Sequence, residues 1–456
     1  MDAIITPISA KKAPGPKGNI LLGSIPDFVH DPIGTLLKTR EQFGDVIELR
    51  FGWKPTYVVC HPDGVKQVLQ DNQQNYCKGE DYQKMAFLGQ GLVTSDGELW
   101  RRQRHVMQPA FHRQRVISFA KTMTDATAEM LQEWQLKFLQ GEPLNVAAEM
   151  VRLTLRIACQ TLFSTDVRDK TDAVGQAIIT AADYEKQRVY KLINILQWLP
   201  TPQNLRYKQA VRFLDEVVLG IVEERRRLGE DKGDLLSMLL EALDEETGKR
   251  ISDQQVRDEM VTLFFAGHDT PANALSWTWY LLSKYPEVER KLHAEVVEVL
   301  GGRTPTFEDL PNLKYTTMVI EEAMRLYPPA WLISRTAIAN DEIGGYHIPA
   351  GSIIQLAPYV THRHPDFWEN PEGFNPERFS PERSANRPRY AYFPFSGGQR
   401  GCIGAAFGIM EVKLIVAMVV QAYRLHLVSS HPVELAPSIT LRPKHGLLMT
   451  LHKQAF

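Results

Sequence analysis

The sequence predicts a mainly α fold with a smaller β region: a large helical lobe and a small β-rich lobe assembled from pieces distant in the chain. Three observations lead there. Helical periodicity dominates from about Glu98 onward; β-like, proline-punctuated runs are confined to residues 46–60 and 330–358; and one apolar helical pattern, 252–285, is long enough to need the interior of a large helical body. At 456 residues the chain exceeds the usual single-core size. We expect a single domain over 1–456, its β-rich lobe drawn mainly from 20–75 and 330–370 and its helical lobe mainly from 98–329 and 400–425. The sequence contains no internal repeat.

Taken in order, the run Pro14-Gly-Pro16-Lys-Gly18 is a rigid, non-helical lead-in. Residues 46–51 and 56–60 read as a hairpin, with Lys54-Pro55 as the turn signal. The helical pattern that follows is interrupted at Pro109, Pro143, Pro200-Thr-Pro202 and a charged, glycine-containing stretch over 223–234. Ser252-Asp-Gln-Gln255 reads as a capping box, the serine hydroxyl capping an early amide while Gln255 reaches back. With Pro286 as its stop, this helix would run for about 33 residues, or roughly 50 Å. A last apolar helical pattern, about 405–423, follows a glycine-rich loop.

Composition narrows the function classes. With 44% hydrophobic and 23% charged residues the chain is an ordinary globular one, and a net charge of −2 gives no bulk attraction for nucleic acid. The four cysteines, Cys60, Cys77, Cys159 and Cys402, show no paired spacing, which points to a reducing compartment and excludes a zinc cluster. Residues 1–12 lack signal-peptide architecture, and no stretch is expected to reach the roughly 18 apolar residues of a spanning helix. We therefore expect a soluble, cytoplasmic protein without a membrane anchor.

The chemistry concentrates around Phe395-Ser-Gly-Gly-Gln-Arg400-Gly-Cys402-Ile-Gly404. One thiolate sits on a glycine-loosened loop, just ahead of a helix whose positive end favours the anion. A single sulfur ligand with no companion suits an axial thiolate on haem iron. The spacing Phe395, Gly398, Arg400, Cys402, Gly404 resembles the haem-binding signature of the cytochromes P450, and the chain is similar to soluble bacterial members of that family. Residues 314–335 and 234–248 look most like its fatty-acid hydroxylases and microsomal-type members.

The resemblance implies haem b with Cys402 as metal ligand, under a long helix crossing above it. In that helix Ala266-Gly267-His268-Asp269-Thr270 matches the family's acid–alcohol pair, implying that Asp269 relays protons and Thr270 hydrogen-bonds dioxygen. Gly267 would permit close approach of the ligand. Pro271 removes an amide, so the Gly267 carbonyl should lose its partner and the helix should open there. Trp100, Arg104, Arg335 and Arg400 are the implied anchors of the two haem carboxylates, with His105 a weaker candidate; Ala266, Phe395 and Gly404 complete the cofactor contacts. Glu322, Arg325 and Arg378 match a structural Glu/Arg triad. Phe87, Leu88, Leu92 and Val93, with Leu263 and Phe264, and with Ala330, Trp331, Leu332 and Ile333, would line an apolar substrate pocket.

The implied activity is a monooxygenase that inserts one atom of O2 into a C–H bond or double bond of an apolar, fatty-acid-like or terpenoid molecule. The chain carries no flavin, nicotinamide or iron–sulfur motif. Two electrons would therefore come from a separate ferredoxin or flavodoxin with its reductase, meeting a basic patch of Arg101, Arg102, Arg113 and Arg115 on a monomer. The competing readings are a peroxide-driven peroxygenase or isomerase, which typically loses the acid–alcohol pair or alters the Cys loop, and a non-catalytic haem sensor, which needs no such pair.

Overall fold

The computed structural model describes residues 11–52, 54–137, 141–190, 199–243, 248 and 250–454. The chain forms two compact units, one of Met1–Gly79, Leu332–Pro371 and Arg387–Gly401, the other of Glu80–Trp331, Glu372–Asn386 and Cys402–Phe456. The fold class is mainly α with small sheets, as the sequence predicts.

The first unit is built on a five-stranded sheet. Its strands are β1 (Val46–Phe51), β2 (Lys54–Val59), β3 (Tyr76–Cys77), β5 (Ile333–Ala337) and β8 (Ile353–Leu356), in the order β1-β2-β8-β5-β3. β1 and β2 form the expected hairpin, pairing Val46 with Val59 and Phe51 with Lys54. Lys54 and Pro55 are therefore part of β2 and not of the turn. The proline sits where β1 is the only neighbour its backbone faces on a sheet edge pair, and β2 joins β8 in parallel from Thr56 onward. Val59, Val65, Ile354 and Leu356 make the core of this unit. A smaller hairpin, β6 (Asp341–Ile343) with β7 (Tyr346–Ile348), completes it.

The second unit is helical. Seven helices bear on the site: α1 (Gly97–Met107), α2 (Val146–Leu162), α3 (Thr171–Tyr190), α4 (Pro202–Leu228), α5 (Asp253–Lys284), α6 (Lys314–Leu326) and α7 (Ala405–Ala422). Their starts follow local chemistry: Asn145 accepts from the Ala148 amide, Thr201 from Asn204 and Ser252 from Gln255. The capping box at α5 is only half present, because the Gln255 amide turns to Gln90 O at 3.3 Å and Glu259 Oε1 at 2.8 Å. α4 runs on through the charged stretch to Leu228 and stops at Gly229, which takes a left-handed φ of 63°.

α7 corrects one expectation. By length and composition Ala405–Ala422 is apolar enough to cross a membrane, although 72% of that window is buried inside the protein. The remaining strands were not read in the sequence. A three-stranded sheet of β4 (Leu144–Asn145), β12 (Leu448–Lys453) and β9 (Tyr423–Leu427) and a hairpin of β10 (Leu435–Pro437) with β11 (Leu441–Pro443) belong to the helical unit.

Candidate functional site

Cys402 lies immediately before α7, whose N-cap is Gly404. Of the four cysteines it is the exposed one; Cys60 and Cys159 are buried and burial pushes their thiols up. Protein nevertheless surrounds the Cys402 sulfur closely enough that desolvation raises its thiol, against the Gly404 amide and the Arg104 guanidinium, which both favour the thiolate. The expected help from the helix end is thus present as one amide hydrogen bond but does not outweigh burial. The first turn of α7 stays open: a Cβ on Gly408 would meet nothing within 4 Å. Among the described residues no group of three metal-binding side chains exists. A lone sulfur, a facing cation and an open helix turn fit a haem held by one axial thiolate, and do not fit a metal ion in a protein cage.

The middle of α5 supplies a second accessible face. From Val256 to Trp279 every residue is buried except Ala266, Gly267 and Thr270. Positions 266 and 270 stack one turn apart, so a single stripe of an otherwise enclosed helix is open. Thr270 Oγ1 donates to Ala266 O at 2.8 Å, leaving its oxygen lone pairs free to accept on that stripe. Asp269 is 4% exposed and faces another way, its Oδ2 accepting from the Thr440 hydroxyl. His268 is buried with Nδ1 against Phe264 O, and burial lowers its pKa, which keeps the ring neutral.

Two expectations for this helix change. Gly267 points at α2 and not onto the open stripe: an added Cβ would meet Ala158 at 3.4 Å, an ordinary contact. α5 also continues through Pro271 as one helix, although the proline supplies no amide to Gly267 O. Side chains cover the backbone there, Thr154 Oγ1 donating to His268 O at 2.9 Å and Asn273 Nδ2 to Asp269 O at 2.7 Å. Thr154, Asn273 and Thr440 were not found by sequence reasoning, and no local motif signals them.

Of the residues expected to anchor the haem carboxylates, Trp100 and Arg104 belong to the second unit and Arg335 and Arg400 to the first. Trp100 is buried and Arg104 half-buried on α1, where burial lowers the guanidinium pKa and the Cys402 sulfur opposes that shift. In the first unit Arg335 is buried on β5 with Nη1 on Ser334 O at 2.8 Å, while Phe395 and Arg400 are half-buried. The glycine-rich loop is shaped by its own unit: Gly398 takes φ 64°, and a Cβ there would strike Leu69 O at 1.7 Å. The basic patch is partly spent, since Arg101 pairs with Glu98 and Arg115 Nη1 donates to Gly233 O, while Arg113 remains exposed; His105, the weaker haem-anchor candidate, is exposed as well.

The structure joins the triad. Glu322 Oε2 accepts Arg325 Nε at 2.7 Å, and its Oε1 accepts Arg325 Nη2 at 2.8 Å, Arg378 Nε at 2.9 Å and the Asn375 amide at 2.9 Å. Both guanidinium groups also reach Gly373 O, at 3.0 and 3.3 Å. The triad thereby pins 373–378 to α6.

Of the pocket candidates, Phe87, Leu88, Leu263 and Phe264 share one apolar cluster, with Leu92 in it and Val93 packed against it. Phe264 meets Phe163 edge-on at 5.1 Å and Phe87 meets Phe265 at 5.9 Å, so these rings are enclosed by other side chains. Ala330 is half-buried outside that cluster, and Leu332 and Ile333 belong to the first unit.

A sequence model of the family described as Cytochrome P450 matches residues 13–450. Cyclooctat-9-en-7-ol 5-monooxygenase of Streptomyces melanosporofaciens is 39% identical over 384 residues, 84% of this chain and 83% of that protein. Cyclooctatin synthase of the same organism is 38% identical, covering 87% and 86%. Pentalenene oxygenase of Streptomyces avermitilis is 35% identical, covering 84% of each.

Proposed function

Because this chain belongs to the cytochrome P450 family and is therefore a haem-thiolate monooxygenase, we propose that Cys402 supplies the axial thiolate to haem b and that the substrate is a terpenoid. The observation that carries the assignment of the ligand is Cys402 itself: an accessible lone sulfur, bonded by the Gly404 amide and faced by Arg104. The choice of terpenoid over fatty acid follows the relatives, whose names denote an unsaturated cyclooctat-9-en-7-ol and pentalenene as the molecules acted on. Leu92, Val93 and Leu263 would supply the apolar lining that such a molecule needs.

The haem supplies the reductive activation of O2 from which one oxygen atom enters the substrate, with two electrons from a separate protein. Arg104 would hold one of its carboxylates. Thr270 presents a hydroxyl oxygen on the accessible stripe of α5, and Asp269 holds a carboxylate one residue away in a buried setting. Together they can hold and pass a proton where bulk water is excluded. Arg113 offers exposed positive charge for a ferredoxin or flavodoxin.

The test begins with the reduced protein under carbon monoxide, where the red-shifted thiolate band is expected and Cys402→Ser should abolish it. A terpenoid and fatty-acid panel is then screened for the spectral shift that follows displacement of water from the haem, and hits are turned over with a ferredoxin system under labelled O2. Thr270→Ala should leave binding intact and cut product per electron consumed by about tenfold or more. A thiolate band that survives in Cys402→Ser overturns the ligand assignment, and responses confined to fatty acids overturn the substrate class.

A further inference from the structure

The turn between β10 and β11 is held from several sides. Trp331 Nε1 donates to Ser438 O at 2.9 Å, Ser438 Oγ to Asp183 Oδ1 at 2.9 Å, and the Ser438 amide to Thr440 O at 2.9 Å. On its far side Leu441 N reaches Pro329 O at 3.0 Å, and Trp277 Nε1 reaches Leu441 O at 2.9 Å. Ser438 and Thr440 are both buried. Few degrees of freedom remain, so any side chain on this turn has a fixed address.

What the turn presents to α5 is the Thr440 hydroxyl, which donates to Asp269 Oδ2 across 171 positions of sequence. A hydroxyl has one proton to give, and here it goes to the carboxylate. Asn273, one helical turn beyond Asp269, donates Nδ2 to Thr440 Oγ1 at 3.3 Å and to Asp269 O at 2.7 Å. The donor direction is therefore set along the chain: Asn273 to Thr440 to Asp269, each bond polarising the next. Asp269 is held on the buried flank of α5, beside the stripe on which Thr270 opens, and it is held by a residue from another element.

We infer that Thr440, backed by Asn273, is a positioning residue for the oxidation: from the fixed β10–β11 turn it sets where the Asp269 carboxylate lies relative to the open stripe of α5. This rests on the reading of Asp269 as the proton-handling acid. A carboxylate that lost this bond would keep its chemistry but lose its geometry, and proton transfer is sensitive to displacements of an ångström or less.

The test uses holoenzyme carrying Thr440→Val, which keeps the shape and removes the hydroxyl, and Thr440→Ser, which keeps the hydroxyl. Turnover is driven by a ferredoxin system on the terpenoid that gives the largest spectral shift in the panel. Thr440→Val should lower kcat and product per electron consumed by roughly tenfold, with KM near that of the wild type, and Thr440→Ser should restore both. The infrared carboxylate band that Asp269→Asn removes should shift in the valine variant and stay in place in the serine variant. Should the valine variant yield no holoenzyme, Thr440→Ala serves in its place. A Thr440→Val enzyme matching the wild type in coupling and in the band, while Asp269→Asn is impaired, overturns the role of Thr440 and leaves that of Asp269 standing. An Asp269→Asn enzyme with wild-type turnover overturns the reading beneath both.

Discussion

Glu322 on α6 and Glu411 on α7 are both fully buried, and the two regions solve the burial of a carboxylate in opposite ways. Glu322 is matched as an anion by two guanidinium groups and a backbone amide, and the surplus positive charge leans on Gly373 O. Glu411 has no hydrogen-bond partner on either oxygen, and burial pushes its pKa well above the ordinary carboxyl range. The first carboxylate is a structural ion shared by two cations. The second is an acid that the fold accepts by keeping it protonated. Burial alone therefore says little about what a carboxylate contributes; its partners decide the sign.

Breaking the first region should have the larger effect. Glu322→Ala takes from Arg325 and Arg378 the buried carboxylate they share, which costs about 3–5 kcal/mol. The expected outcome is a sharply lowered thermal midpoint and little recoverable holoprotein; a midpoint near the wild type would show that the triad is not a structural ion cluster. The second region should respond the other way. Glu411→Met removes two unpaired oxygens from the interior and should stabilise by about 1–3 kcal/mol. Because the folded acid holds its proton while the unfolded one releases it above about pH 4.5, wild-type stability falls as pH rises from there. The advantage of Glu411→Met should accordingly grow from pH 5 to 8. Thermal scans across that range check it, and a gain independent of pH would mean that Glu411 ionises in the fold.

Both regions also show which parts of the molecule a sequence can reveal. Cys402, the Asp269-Thr270 pair and Glu322 with Arg325 lie in short local patterns, and their spacing in sequence survives as spacing in space. Arg378 was found because its own segment carries a motif. Thr440 and Thr154 have no such context: each reaches α5 through folding alone, from 171 and 114 positions away. Gly267 failed for a related reason, since helical periodicity gives a residue's face but not the neighbour that covers it, which is Ala158. The apolar length of α7 was underread because Glu411 and Lys413 interrupt the run. Both are buried, Glu411 without a partner and Lys413 with Nζ on Leu310 O at 2.7 Å. Of the late strands, β10 and β11 have three residues each and carry proline, and they are defined by their pairing more than by their composition.

Glu259 on α5 lies between the two extremes and gives the finest test. It accepts the Leu92 amide at 2.9 Å and Gln255 Nε2 at 2.8 Å, so it has donors but no paired cation. Burial raises its pKa to about 8; those two hydrogen bonds oppose the shift and the Asp258 charge adds to it. The proton that the fold retains is released by the unfolded chain from about pH 4.5 upward. The stability held by this group is therefore complete below pH 4.5, is lost progressively up to about 8 and changes no further above it. Glu259→Gln keeps an oxygen for the Leu92 amide and does not titrate. Its net effect at pH 7 should be small, about 1 kcal/mol, because the new amide brings one N–H more than the protonated acid's O–H and leaves it to be satisfied. The pH dependence is the sharper readout: the difference in thermal midpoint between variant and wild type should rise through pH 5–8 and then level. A flat difference would place Glu259 with Glu322, as a carboxylate held in its ionised form, and would make segment 87–93 depend on that charge at the Leu92 amide.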